Sequence, residues 1–230
     1  MLNISPVETP HRTKEEYVYE TLRKAIMRCE LKPGEKLVMD NLSEALGVSP
    51  IPIRGALQRL QAEGLAEIVP HTGAIVSEIS LESITEIFAL LEALENVAFE
   101  AVAATANQAD IAELEGLIEQ METAVTANDP YTWYDLNDQF HLTIARLTGM
   151  KLLHRFTSRA LDSRNRLRYF LFGSFVGPRM AQAHAEHKQM ITLLKQKDSE
   201  TLRTLVGQHN RAARDAYLVL IETQTNHQNS

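Results

Sequence analysis

Near residue 77 the hydrophobic pattern of this chain turns to helical spacing and keeps it to about residue 222. Before that point, helical spacing gives way to two short apolar runs. Tyr17, Val18, Leu22, Ala25 and Ile26 recur three and four residues apart, and Thr13 followed by Glu16 reads as a capping box. Pro33-Gly34 ends this first helix. A second is expected around Asp40–Leu46, stopped at Gly47, and a third after Ser49, carrying Ile53, Ala56, Leu57 and Leu60 and ending at Gly64. Pro52 falls in its first turn, where a missing N–H costs little. Leu65–Val69 and Ala74–Val76 then read as two strands joined around Pro70–Gly73. Three helices followed by a hairpin predict a winged helix-turn-helix over residues 1–78, with the first dozen residues as a frayed tail.

From Ser80 onward no segment alternates as a strand does. Helices are expected at about 81–106, 110–127, 130–148, 150–172, 179–197 and 199–222, giving a mainly α chain whose second domain, 79–230, is a six-helix bundle. With aromatic residues at 6%, the composition also leans away from a sandwich or barrel. The single cysteine, Cys29, excludes an internal disulfide framework and a cysteine zinc cluster. No apolar run approaches the ~18 residues of a membrane span and the first residues lack an apolar signal core, so a cytoplasmic protein without membrane association is expected. The formal net charge of −7 argues against a uniformly basic coat but leaves room for one basic face.

The segment Leu42–Leu60 has the chemistry of a groove reader. Leu42, Leu46 and Val48 pack one helix on the next, and Gly47 permits the sharp turn. Ser49 caps a helix whose start favours a phosphate, and Arg54, one turn in, reaches a guanine edge or the backbone. The wing tip His71-Thr72-Gly73 is small and polar enough for the minor groove or phosphates. A structural or protein-binding winged helix is the other reading of the same pattern. Residues 18–78 resemble the DNA-binding domain of the GntR family of bacterial transcription regulators. The likeness runs through Leu31–Leu37, Leu42–Ser49, Pro52-Ile53-Arg54, Ala56–Leu60 and Glu63-Gly64-Leu65. It implies double-stranded operator DNA as partner, with Ser49, Pro50, Arg54, Arg59, His71, Thr72 and Gly73 as the DNA-binding set. Pro50 stands where relatives often carry a DNA-contacting arginine, Gly55 where they carry a glutamate, and Asp40 near a position where some have an arginine. Residues 1–75 hold nine basic and ten acidic side chains, so a single copy is expected to bind weakly and a homodimer on two half-sites to be the working unit.

In the second domain polar residues sit on apolar stripes. Asn137 and His141, one turn apart, flank the stripe Trp133, Leu136, Phe140, Ile144, Leu147. His187 interrupts Met180, Ala183, Met190, Ile191 and Leu194, and His209 lies among Leu202, Leu205, Val206, Ala213, Ala216 and Leu220. Three histidines and one amide thus point inward from three helices. They read either as a site for a divalent transition metal or as satisfied core residues; His11, His71, His154, His184 and His227 read as core or solvent residues, not as ligands. Arg164 fills a gap in the stripe Leu153, Phe156, Ala160, Leu167, Leu171 and needs an anion, either an effector carboxylate or Glu92 or Glu95. The neighbouring Arg155, Arg159, Arg166 and Arg168 read as a solvated face or an interface.

Residues 80–222 resemble the FCD ligand-binding domain of the FadR-type GntR subfamily, through Asn137–His141, Glu186-His187 and the helix bearing His209. The resemblance implies a zinc, nickel or manganese ion held by Asn137, His141, His187 and His209, with Asn137 in the place usually held by an aspartate. Asp138 is expected to point about 100° away from that face. Leu91 stands where many relatives carry an arginine. A small organic acid bound there, with Arg164 as an effector-binding residue, would regulate DNA binding, more often as a repressor than an activator. Two alternatives stay open. One is the same regulator without metal, holding an apolar or acyl ligand. The other is a metal-dependent hydrolase or lyase, disfavoured because no glutamate is placed beside the histidines as general base and no HExxH or Ser-His-Asp order occurs. The chain is therefore not expected to be an enzyme.

Overall fold

The computed structural model describes residues 13–70, 73–171 and 178–228. They form two compact units, one of residues up to Ser80 together with Asn165–Phe170, the other of Leu81–Arg164 and the residues from Leu171 onward.

In the first unit α1 (Lys14–Met27) begins where Thr13 Oγ1 accepts a hydrogen bond from the Glu16 amide. Its buried stripe is Val18, Leu22, Ala25 and Ile26. A short strand β1 (Lys36–Val38) leads into α2 (Met39–Leu46), which ends at Gly47 in the left-handed conformation, its N–H on Ser43 O. Then follow α3 (Pro50–Ala62), β2 (Ala66–Val69) and β3 (Gly73–Val76). The three strands form one antiparallel sheet in the order β1-β3-β2, with Leu37 opposite Ala74 and Ile68 opposite the same residue on the other side. β1 is an addition to the helix-and-hairpin pattern expected from sequence, since three residues are too few to show a period of two. The core gathers Leu22, Ile26, Leu37, Leu42, Ile53, Leu57 and Leu60.

Gly73 is fixed by backbone packing. Its φ is +142°, and a Cβ built on it would lie 2.0 Å from the carbonyl oxygen of Leu37 on β1. Only glycine lets the two strands pair at that register.

The second unit is built of six helices: α4 (Leu81–Thr105), α5 (Gln108–Thr126), α6 (Pro130–Leu147), α7 (Lys151–Phe170), α8 (Pro178–Gln196) and α9 (Ser199–Gln228). Asn107 and Asp110 form a full capping box at α5, and Asp129 caps α6 by accepting from the amides of Tyr131 and Thr132. Asp198 accepts from the Thr201 amide at the start of α9. α4 lies along α9, while α5 packs on α6 and α8. Phe99, Leu114, Met121, Trp133, Phe140, Met190, Leu194, Leu202 and Val206 fill the interior. Along α7 and just past its end the expected inward stripe holds at Leu153, Ala160, Arg164, Leu167 and Leu171 and differs at one position. Phe156 is 41% exposed and Thr157 is buried in its stead, with Ala160, Leu161, Arg164 and Leu167 continuing that face. Arg166 and Arg168, expected on a solvated face or an interface, are buried, so the solvated alternative falls for these two; they belong to the Asn165–Phe170 stretch that goes with the first unit. Among the described residues no helix is long and apolar enough to cross a membrane.

Two glycine replacements separate strain from helix propensity. Gly73→Ala should cost about 2–3 kcal/mol, because side chain and backbone cannot both be accommodated. Gly116→Ala, where an added Cβ meets nothing within 4 Å in the interior of α5, should stabilise by roughly 1 kcal/mol. Thermal unfolding followed by circular dichroism checks both; a Gly73→Ala protein as stable as the wild type would contradict the strand register given above.

Candidate functional site

The apolar face of α6 that buries Trp133, Leu136, Phe140 and Ile144 also carries Asn137 and His141 inward, one turn apart. His187 comes from α8 and His209 from α9, and all three imidazoles are buried, His187 completely. Their metal-capable nitrogens lie within 4.8 Å of one another. Two nitrogens bound to one ion at about 2.1 Å stand at most about 4.2 Å apart, so shifts of under an ångström would bring this set to bonding distance.

Carboxylates behind the rings set their orientation. Glu95 of α4 is buried; its Oε1 lies 2.9 Å from His141 Nδ1, out of line for a hydrogen bond, and its Oε2 accepts from Asn210 Nδ2 at 2.7 Å. Glu186 Oε2 lies 2.6 Å from His209 Nδ1, and Glu186 also takes two bonds from Arg179, at 2.8 and 2.7 Å. A carboxylate on one imidazole nitrogen leaves the other as the ligand atom and raises its basicity. Burial works to raise both acids. The nearby His141, with His209 and Asn210, nevertheless holds Glu95 at about 2, and the bonds from His209 and Arg179 hold Glu186 at about 2.

His187 has no such support. Neither of its nitrogens has a hydrogen-bond partner among the described residues, and the same is true of His141 Nε2. Trp133 and Phe140 stand beside the His187 ring, with centroids 6.1 and 4.8 Å away. Burial, and then the neighbouring His209 and His141, push its pKa well below the ordinary value. The ring is therefore neutral, which is the form that binds metal. Orphaned nitrogens on a neutral, fully buried imidazole, beside two more histidines, fit a transition-metal ion.

Asn137 lines a cavity of about 40 Å³ next to the cluster, together with Trp133, Tyr134, Arg164, Arg179, His209 and Tyr217. Arg164 is buried there, but its anion is not the expected Glu92 or Glu95. It bonds Asp138 at 2.5 Å. Asp138 does turn away from the face of Asn137 and His141, and that turn brings it to α7. Glu92 pairs instead with Arg211 at 2.5 Å, and Glu95 serves His141 and Asn210. With five donors, the Arg164 guanidinium retains capacity for a further acceptor. The sequence pattern offered no place for Arg179 or for Glu186 as a positioning acid; the expectation of no glutamate beside the histidines as general base did not foresee that Glu95 and Glu186 stand there at all. Glu95 interrupts the buried stripe of α4, a signal that periodicity does carry. His184 is buried with Nε2 2.8 Å from Glu122, separate from the cluster, and His154 is half-buried. His11 and the His227 side chain lie outside the described residues.

In the first unit Ser49 holds the N-cap position of α3, but its hydroxyl makes no capping bond. Pro50 is the first residue of α3 and is exposed. Because neither Pro50 nor Pro52 has an N–H, the first turn of α3 can offer a phosphate only the amides of Ser49 and Ile51. Arg54 is exposed on the outward face. Arg59, expected as a DNA contact, already has partners within this unit. Its Nη1 is 2.6 Å from Glu16, and its guanidinium lies 3.6 Å from the centroid of the Tyr19 ring. Tyr19 in turn bonds Glu63, which pairs with Arg23. This cluster ties α3 to α1, so Arg59 is occupied within the fold. Gly73 likewise has a structural reason. His71 and Thr72 lie outside the described residues.

Comparison with known proteins follows this division. A family model described as bacterial regulatory proteins, gntR family, matches residues 14–76, and one described as FCD domain matches residues 86–212. An HTH-type transcriptional regulator in an unstable DNA locus of Streptomyces ambofaciens is 28% identical over 209 residues, 90% of this chain and 86% of the relative. The HTH-type transcriptional repressor RspR of Escherichia coli strain K12 is 24% identical over 200 residues, 87% of each chain. The solved structure of E. coli McbR/YncC superimposes with a TM-score of 0.71 at 23% identity, covering 93% of this chain and all of that one (100%), and so shares the fold.

The two arginines of α3 should separate cleanly on mutation. Arg59→Ala should lower stability by about 1 kcal/mol, through loss of a partly exposed ion pair and a cation–π contact. Arg54→Ala should leave the melting temperature unchanged and abolish specific binding to duplex DNA. Melting curves and fluorescence anisotropy on both variants check this; an Arg54→Ala protein with wild-type specificity contradicts it.

Proposed function

The chain belongs to the GntR family of bacterial regulatory proteins and carries an FCD domain, and from that premise we propose a regulator of the FadR type. It works in the cytoplasm as a homodimeric repressor on a two-half-site operator. Its helical unit binds a small organic acid at a divalent metal held by His141, His187, His209 and Asn137. The observation that carries this reading is the orphaned, neutral His187 ring within 4.8 Å of two further buried histidines. The printed names of two E. coli relatives, the repressors RspR and GlaR, support the sign of regulation.

The chain's own residues divide the work. Glu95 and Glu186 fix the His141 and His209 rings, Arg179 anchors Glu186, and Asn137 offers an uncharged amide oxygen where a carboxylate would add charge. When bound, zinc, nickel or manganese would supply Lewis acidity toward a carboxylate. Arg164 and Arg179, on the wall of the adjoining cavity, supply positive charge and donors on the same side. An acid that binds one conformation of the dimer better than another shifts operator affinity by that difference. Sensing is favoured over catalysis by the state of the glutamates. Acids held at about 2, and tied to histidine, are poor general bases at neutral pH.

The test is thermal and functional together. After treatment with a chelator and dialysis, zinc, nickel or manganese should raise the melting temperature of the wild type, since a ligand of the folded state stabilises it by about 2.7 kcal/mol at a hundredfold excess over Kd. His187→Ala should show no such rise. A panel of small carboxylic acids should then release operator from the wild type only when metal is present. Metal-independent release would favour the apolar or acyl ligand reading, and equal melting shifts in wild type and His187→Ala would reject the site.

A further inference from the structure

Among the described residues the most exposed large hydrophobic side chain is Ile51, at 83%. It stands in the first turn of α3, the second helix of the helix-turn-helix. One turn on, the same outward face carries Arg54, and two turns on Gln58, both exposed. The opposite face of α3, Ile53, Ala56, Leu57 and Leu60, is the core. Ile51 therefore has no packing role in this unit, although its neighbours along the face are polar. Pro50 and Pro52 flank it, so the tip of the helix is stiff and short of amide donors. A cation and an amide on the rest of the face suit a polyanion with hydrogen-bonding base edges. Within the major groove the apolar feature that an aliphatic side chain can meet is the C5 methyl of thymine.

We propose that Ile51 is a specificity-determining residue that packs against a thymine methyl in each operator half-site. Three residues separate it from Arg54, a rise of about 4.5 Å along the helix, against about 3.4 Å per base pair. The thymine thus lies within one or two base pairs of the base that Arg54 reads. The apolar tip takes over part of the reading from the position that holds Pro50. This inference rests on the operator-binding reading given above.

The experiment starts from duplexes enriched from a random library by the full-length wild-type protein. In one enriched duplex each thymine is replaced singly by deoxyuridine, which removes only the methyl, and binding is measured by fluorescence anisotropy. One thymine per half-site should respond, with affinity falling about three- to fivefold on replacement, the worth of one buried methyl group. Ile51→Val should keep that response. Ile51→Ala, whose melting temperature should match the wild type because the side chain is exposed, should bind the thymine and deoxyuridine duplexes equally. If no thymine responds, or if Ile51→Ala still discriminates, the assignment of Ile51 is overturned while the regulator reading stands. Failure of the wild type to enrich any sequence would overturn both.

Discussion

Three buried imidazole rings, two of them with unpaired nitrogens, set in a core of phenylalanine, tryptophan and leucine, are held at a cost unless something bonds them. A buried polar group without a partner costs about 1–3 kcal/mol. Among the described residues His187 and His141 each leave both nitrogens in that condition, although Glu95 lies beside His141 Nδ1. The surroundings are built to maintain the arrangement. α4 contributes Glu95, α6 His141, α8 Glu186 and His187, and α9 His209 and Asn210. Every helix that lines the cluster is thus tied to another through a charged hydrogen bond or a carboxylate–imidazole contact. Polar groups with this much geometric support, arranged around unsatisfied donors and acceptors, fit the proposed receptor for an ion within the hydrophobic core. An ion bound there would join three helices at one point, α6, α8 and α9, and so would link the occupancy of the site to the packing of the bundle.

The first unit solves a different problem with similar economy. Its sheet of three short strands depends on Gly73, because the Leu37 carbonyl leaves no room for a Cβ. Its helices are clamped by Glu16, Arg59, Tyr19 and Glu63 on the side of α1. That clamp leaves the opposite face of α3, with Ile51, Arg54 and Gln58, free of intramolecular duties. Rigidity on one face and exposure on the other suit a recognition helix, since the reading side chains then lose little freedom on binding.

Much of this was legible in the sequence, and the misses have physical reasons. The helices of the second unit were visible because their apolar residues recur at helical spacing over long stretches. His141, His187 and His209 stood out because each interrupts such a stripe. Asp138 as the partner of Arg164, and Glu16 as the partner of Arg59, were not visible, because both pairings join different helices and local spacing says nothing of them. On α7 hydropathy favoured Phe156 over Thr157, yet packing put the threonine inside at that one position, while Leu153, Ala160, Arg164, Leu167 and Leu171 kept the expected phase. β1 is too short for any period. Ser49 had the right residue type and position for a cap, but the capping bond is absent, and the prolines beside it weaken the helix start as an anion site.

The central claim is that the buried histidines hold a metal, and elemental mass spectrometry of untagged protein tests it most directly. Wild-type protein should carry close to one equivalent of zinc, nickel or manganese per chain, and His209→Ala should carry almost none. A wild type purified without chelator that holds no transition metal, and takes up none on addition of these ions, would contradict the claim.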